Sequence, residues 1–313
     1  MVAIIPRSFC NGPYYRPFRE FMLAKTAIQH LHLFGARNQA FKDDEVLQEN
    51  IIIHLVKGGV QETVTVSTST DQTFVDYVIS ELPFEQIVQP DDPEHFIHIP
   101  TSEVQTALEP PSALCTSLAD LGVDVSTGPV VDFRVKAYLC DEPETGTAPL
   151  LYPLHFANGH IEWPQQGIKK PNALKIAAET EKWLYPSGFY TVVKRFSSKE
   201  EKRRIVAHVV APSDFAEAQI GFENHLNVFH QSKQGLPEAL AYGLAAFLNS
   251  SQVDAFFRRF SGHTQVNATD LRQLKYPNLA VLCELGRWAK SCKKPTQAEL
   301  DQKIAGLWPS KHE

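Results

Sequence analysis

Tyr190-Thr191-Val192-Val193-Lys194-Arg195-Phe196-Ser197-Ser198-Lys199-Glu200-Glu201-Lys202-Arg203-Arg204-Ile205-Val206-Ala207-His208-Val209-Val210 is the stretch on which the reading of this chain turns. Two β-branched runs, Thr191 to Val193 and Ile205 to Val210, flank a polar connection, which is the pattern of two antiparallel strands and their loop. From Lys194 to Arg204 six cations (Lys194, Arg195, Lys199, Lys202, Arg203 and Arg204) stand against two carboxylates, Glu200 and Glu201, a local charge of +4. Charge at that density suits a polyanionic partner. The plainer reading is a solvated loop whose cations pair with the two glutamates.

The charge of the hairpin belongs to a wider asymmetry. The 313 residues carry a net charge of -6, but residues 1–150 hold 9 Lys+Arg and 21 Asp+Glu (net -12), while residues 151–313 hold 21 and 15 (net +6). Any polyanion-binding surface is therefore expected in the second half. The apolar content of 43% and charged content of 21% are those of a globular protein with a real core. Five scattered cysteines without a C-x-x-C pair suggest neither a disulfide framework nor a zinc site, and point to a reducing cytoplasm. No apolar run reaches the roughly 20 residues that span a bilayer, so no membrane partner is expected.

Outward from the hairpin, the N-terminal region reads as sheet and helix. Val2-Ala3-Ile4-Ile5 has the look of a buried strand of the parallel-sheet kind, as though from the middle of a domain. The spacing of Phe18, Phe21, Met22 and Ile28 predicts an amphipathic helix, followed by strands over Ile28 to Phe34, Ile51 to Val56 and Glu62 to Ser67. Pro90 to Pro111, with five prolines and several acids, marks a domain boundary. Beyond it, the alternation of Val131, Phe133, Val135, Ala137 and Leu139 with polar neighbours predicts a strand over Pro129 to Leu139. The last third is helical, with stripes at Leu240, Leu244, Phe247, Leu248 and at Val253, Phe256, Phe257, Phe260, and a capping-box spacing from Thr296 to Glu299.

Several of these segments resemble a known family. Val2-Ala3-Ile4-Ile5-Pro6-Arg7-Ser8-Phe9, the helix with Phe18-Arg19, and Ala40-Phe41-Lys42-Asp43-Asp44-Glu45-Val46-Leu47-Gln48-Glu49-Asn50-Ile51-Ile52 resemble the late catalytic-domain motifs of adenine-specific DNA methyltransferases of bacterial restriction–modification systems. Leu118 to Gly128, and Ala245 to Ser251 through Gly262-His263-Thr264-Gln265 to Leu271, resemble their target-recognition part, the latter also segments of type I specificity subunits. The resemblance implies an α/β remnant of a Rossmann-like methyltransferase sheet over residues 1–108, an α+β target-recognition domain over 109–275, and C-terminal helices over 276–313. It implies double-stranded DNA as the partner and S-adenosylmethionine as the cofactor of the complete enzyme.

The family's glycine-rich cofactor motif and its Asn/Asp-Pro-Pro-Tyr active-site tetrapeptide have no match in this chain. Asn11-Gly12-Pro13-Tyr14 comes near, but has Gly where the first Pro belongs and reads better as a turn. Methyl transfer to an adenine amine requires that amine to be extruded, held by an Asn or Asp oxygen and a backbone carbonyl, and aimed at the methyl sulfonium. The chain by itself is therefore expected to bind no cofactor and to have no catalytic residue. The resemblance places the residue that stacks on the flipped base at Phe41, while the cations themselves suggest a DNA surface at Lys194, Arg195, Lys199, Lys202, Arg203 and Arg204, joined by Arg258, Arg259 and Gln265. The partner is then either the missing N-terminal catalytic portion or, if this is a stand-alone specificity module, a separate catalytic subunit. An unrelated enzyme using Cys10 and some of the twelve histidines is the remaining alternative.

Overall fold

A computed structural model describes residues 1–35, 49–100, 116–157, 160–197, 201–261, 264–292 and 295–306. The chain divides into two compact units, one of Met1–Glu109 with Ala255–Thr264, the other of Pro110–Asp254 with Gln265–Glu313.

The first unit contains β1 (Val2–Pro6), α1 (Arg16–Lys25), β2 (Thr26–Phe34), β3 (Asn50–Lys57), β4 (Val64–Ser69), β5 (Val78–Leu82) and the single turn α2 (Phe84–Ile87). Its sheet runs β1-β3-β2-β4-β5. Only the β2–β4 pair is parallel. One face buries Ile28, Leu31, Ile51, Ile53, Val64 and Val66 against Met22, Ile87, Ile97 and Ile99.

Two expectations are corrected here. Val2–Pro6 is an edge strand, antiparallel to β3, and its side chains alternate: Ala3 and Ile5 pack on the core while Val2 and Ile4 are exposed. An all-apolar run looks the same whether one or both faces are covered, so the pattern alone misplaced it. In α1 the side chains of Phe18 and Phe21 turn outward and Arg19 is the buried residue beside Met22. Its guanidinium donates to the carbonyls of Phe9 (2.9 Å), Gly12 (2.8 Å) and Glu94 (2.9 Å) and lies 5.2 Å from the centre of the Phe96 ring. Two of these carbonyls belong to the 7–15 segment and the third to the 84–99 segment, and one long cation bonds all three.

The second unit begins with β6 (Asp124–Thr127), β7 (Leu139–Cys140), β8 (Thr147–Leu151), β9 (Ala173–Lys175) and β10 (Leu184–Pro186). It continues through β11 (Tyr190–Lys194), β12 (Ala207–Val210), β13 (Gln219–Phe222) and β14 (Leu226–His230). Two sheets result, β10-β13-β8-β9-β7 and β12-β11-β14-β6. They share a core of Leu151, Tyr185, Tyr190, Val192, Phe222 and Val228. The expected hairpin is present, with Tyr190 opposite Val210 and Val193 opposite Ala207. The expected strand over Pro129 to Leu139 is not. Residues Asp132–Arg134 and Lys136–Tyr138 are 3-10 turns, and Phe133 points to solvent. The Asp132 carboxylate accepts the Phe133 N–H at 2.6 Å, a local bond that competes with a sheet ladder.

Helices α3 (Glu238–Leu248), α4 (Ser251–Phe260), α5 (Ala268–Gln273), α6 (Leu279–Ser291) and α7 (Gln297–Gly306) follow, α4 counting with this unit up to Asp254. The capping box predicted for the last helix is realised at Thr296, whose hydroxyl and N–H both bond Glu299 Oε2, at 2.8 and 2.7 Å. Helices α3 and α6 cross at contact distance because both carry glycine there. A Cβ at Gly243 would overlap the Leu282 carbonyl oxygen, and one at Gly286 that of Ala239. Gly286→Ala is expected to lower unfolding free energy by about 1–3 kcal/mol in urea denaturation, since backbone cannot step aside as a side chain would. Gly306→Ala, with open space around it, serves as the neutral control.

Candidate nucleic-acid interface

The hairpin's cations divide into inward and outward sets. Arg204 is 1% exposed. Its Nε donates to Ser197 Oγ at 3.2 Å, and its backbone N–H, with that of Ile205, donates to Asp254 Oδ1 at 2.6 and 3.1 Å. Arg203 reaches the Ser250 carbonyl (2.9 Å) and Gln297 Oε1 (2.6 Å), so it ties the loop to the helices. Lys194 pairs with Glu201 at 2.9 Å. Lys202 is exposed and has no ion-pair partner among the described residues. The +4 tip is thus largely turned to internal use. Apart from Arg195, only Lys202 and, in part, Lys194 present charge outward among its described residues.

Arg195 leads to a different surface. The chain leaving β11 is clamped on both sides: Arg195 N–H donates to the His225 carbonyl (2.8 Å), its own carbonyl accepts from Val266 (2.7 Å), and Phe196 bridges to Gln265. The guanidinium donates to the Asn224 carbonyl (3.1 Å) and Gln265 Oε1 (3.3 Å) and lies 5.9 Å from the centre of the Phe196 ring. Phe196 is 39% exposed, with the His225 ring 4.8 Å away. His225 is in turn held by Glu223, a wholly buried carboxylate.

A second aromatic pair stands in the same neighbourhood. Phe133 is 62% exposed with the Arg134 guanidinium 5.5 Å from its ring centre. Next to it, Lys170 lies 2.6 Å from Asp132 and holds that carboxyl below its ordinary range; the charge of His225 acts in the same direction. The unit therefore displays two exposed phenylalanines, each beside an arginine, with a histidine near both. Exposed aromatics and planar cations are the groups that stack on bases and bind phosphates. Phe133, Arg134, Lys170, Phe196 and His225 were not singled out from the sequence. The signal was the adjacent pairs Phe133-Arg134 and Arg195-Phe196, the first hidden by its apparent strand periodicity.

The other expected site residues fall elsewhere. Arg258 belongs to the first unit, where its carbonyl accepts from Arg7 at 3.3 Å. Phe41, Lys199 and the side chain of Arg259 lie outside the described residues. Asn11 is fully buried and Tyr14 almost fully exposed, so the near-match tetrapeptide does not present its two polar groups together. Burial pushes the Cys10 thiol up to about 12, opposite to what an activated nucleophile needs. Among the described residues no three His, Cys, Asp or Glu side chains gather to hold a metal ion, and no helix is long and apolar enough to cross a membrane.

Comparison with known proteins follows the same line as the sequence. Over 308 residues the chain is 54% identical to the type II methyltransferase M.BsuBI of Bacillus subtilis, a match that covers 98% of this chain and 61% of that protein. The chain is similar to type II methyltransferases. It is also 47% identical over 279 residues to the type II methyltransferase M.PstI of Providencia stuartii, covering 88% of this chain and 55% of that one. The chain thus spans a little over half the length of these methyltransferases. In fold it is similar to the type IIL restriction-modification enzyme MmeI, solved in complex with DNA, at a TM-score of 0.55 and 10% identity, covering 100% of this chain and 47% of that one. No family model matches it.

The division of the hairpin cations is open to a direct stability test. Arg204→Ala is expected to cost about 2–4 kcal/mol, as for other large buried side chains cut to alanine, whereas Lys202→Ala should stay within about 0.5 kcal/mol of the parent. Equal denaturation midpoints for the two variants would contradict the placement of Arg204.

Proposed function

We propose that this chain is the DNA-recognition part of an adenine-specific DNA methyltransferase of a restriction–modification system, which in its complete form uses S-adenosylmethionine. The observation that carries the reading is the surface on which Arg195 and Arg134 lie beside the exposed rings of Phe196 and Phe133. The likeness to two type II methyltransferases over nearly the whole chain supports it. Duplex DNA offers such a surface phosphates for its cations and, in the major groove, base edges with thymine methyl groups for its aromatics.

The catalytic groups are assigned to a further N-terminal portion. The outer edge of β1, which pairs with no strand among the described residues, and the exposed Val2 and Ile4 support that assignment, because such an edge with apolar side chains is a place where more sheet can be added.

In this reading, phosphate contact comes from the outward cations. Each phosphate neutralised on duplex DNA steepens the dependence of log affinity on log salt by about 0.9. The double variant Arg134→Ala with Lys202→Ala should therefore flatten the slope by up to about 2 units in an anisotropy titration. An unchanged slope in the folded variant would send the DNA surface elsewhere. Phe41 is assigned to the flipped adenine. In the complete enzyme Phe41→Ala should weaken turnover more than ground-state DNA binding, as roughly 1–3 kcal/mol of stacking is lost only once the base is extruded. Equal turnover by parent and variant, with equal 2-aminopurine fluorescence at the target base, would remove Phe41 from the site.

A further inference from the structure

Glu223 is wholly buried, and among the described residues no Lys or Arg pairs with it. What it holds is His225: Nδ1 lies 2.6 and 2.7 Å from the two carboxylate oxygens, and Oε2 also accepts the His225 backbone N–H at 2.9 Å. A buried carboxylate without a cation is costly, so the imidazole that serves it is the group that supplies the balancing charge. The turn is rigid. Glu223 N–H donates to the Leu151 carbonyl, Asn224 N–H to the Val130 carbonyl, and the Leu226 N–H returns to the Glu223 carbonyl. Gly128 sits so close that a Cβ there would overlap the Glu223 carbonyl oxygen. The ring itself is 42% exposed, faces Phe196, and has no partner for Nε2 among the described residues.

We propose that His225 is a DNA-contacting residue, its Nε2–H donating to a phosphate oxygen, and that Glu223 is its positioning residue. The inference rests on the DNA-binding reading above and adds to it a contact that protonation controls. The charged groups about the ring are Glu223 beneath it, Asp132 with its partner Lys170 from the 130s and 170s segments, and Arg195 on the far side of Phe196. With Nδ1–H committed to the carboxylate, a neutral ring exposes a lone pair at Nε2, which repels a phosphate, and leaves the Glu223 charge unbalanced. The imidazolium presents a donor and cancels that charge. The protonated form is thus the one that binds, so affinity is greater at low pH than at high pH.

The test is the binding of a mixed-sequence duplex by the 313-residue chain, titrated with salt at about pH 6 and about pH 8, on either side of the ordinary imidazole value. The parent should show a salt slope steeper by up to about 0.9 at the lower pH, and His225→Gln the same slope at both. Glu223→Gln, which removes the anion favouring the imidazolium, should move the pH dependence to lower pH. A merely structural role for Glu223 would leave the profile where it was. Diethyl pyrocarbonate footprinting of the unaltered chain covers the case in which a variant does not fold: duplex DNA should protect His225, with buried His155 as the silent control. Retained binding with the parent's pH dependence in His225→Gln, or modification of His225 unaffected by DNA, would overturn this inference alone. Absence of duplex binding by the parent at low salt and either pH would overturn the proposed function and this inference with it.

Discussion

One oxygen of Asp254 accepts the backbone N–H groups of both Arg204 and Ile205, and much of the second unit's arrangement depends on that carboxylate. On its outer side the return arm of the hairpin has no strand neighbour among the described residues, because β12 is the edge of its sheet. Side chains from the helices take that part. Asn249 donates to and accepts from the backbone of Ala207, at 2.8 and 3.0 Å, as a neighbouring strand would, and Arg203 donates back to the Ser250 carbonyl. An edge strand left bare would invite pairing with another chain, and here its first residue is capped by an amide.

The same stitching determines where charge can appear. Once the 203–207 segment is bound to the helices, Arg203 and Arg204 are committed to carbonyls, hydroxyls and carboxylates inside the unit. The outward display passes to the opposite arm, where Arg195 is clamped between the 223–226 turn and Val266. A cation held by two backbone bonds and two side-chain bonds loses little freedom on meeting DNA, and that favours affinity more than a mobile lysine does. The exposed rings of Phe133 and Phe196 add flat surface next to such cations.

The first unit shows a comparable division of covered and open surface. Its sheet is packed on one face by α1 and by the 84–99 segment, and on the other carries His30, His32, Ile52 and His54 with Phe74 and Tyr77 around a cavity of about 220 Å³. His30 and His32 share the Ser67 hydroxyl, at 2.7 and 2.8 Å, and burial lowers both imidazoles below their ordinary value. They serve as neutral hydrogen-bonding groups within the sheet, which is why their spacing in sequence did not signify a metal.

The sequence by itself determined the strand pair at 190–210, the strands of the first sheet other than β5, the helical last third with its Thr296 cap, and the concentration of cations in the second half. Each of these follows from local pattern: β-branched runs, residue spacing, a short side chain that bonds its own backbone, and a sum of charges. Only the tertiary structure decided which cations face out. Arg204 and Lys202 are close neighbours in one loop and look alike in sequence, but one meets Asp254 from a distant helix and Ser197 across the hairpin, and the other is exposed. Likewise Phe133 reads as a strand's inner residue, until a local bond from Asp132 turns the chain and leaves the ring exposed. Glu223 and His225 carry no motif; their pairing arises because the 223–226 turn is fixed against Val130 and Leu151, residues about 70 to 90 positions away. Contacts at such separations are set by packing of whole sheets, and no pattern within a window of sequence encodes them.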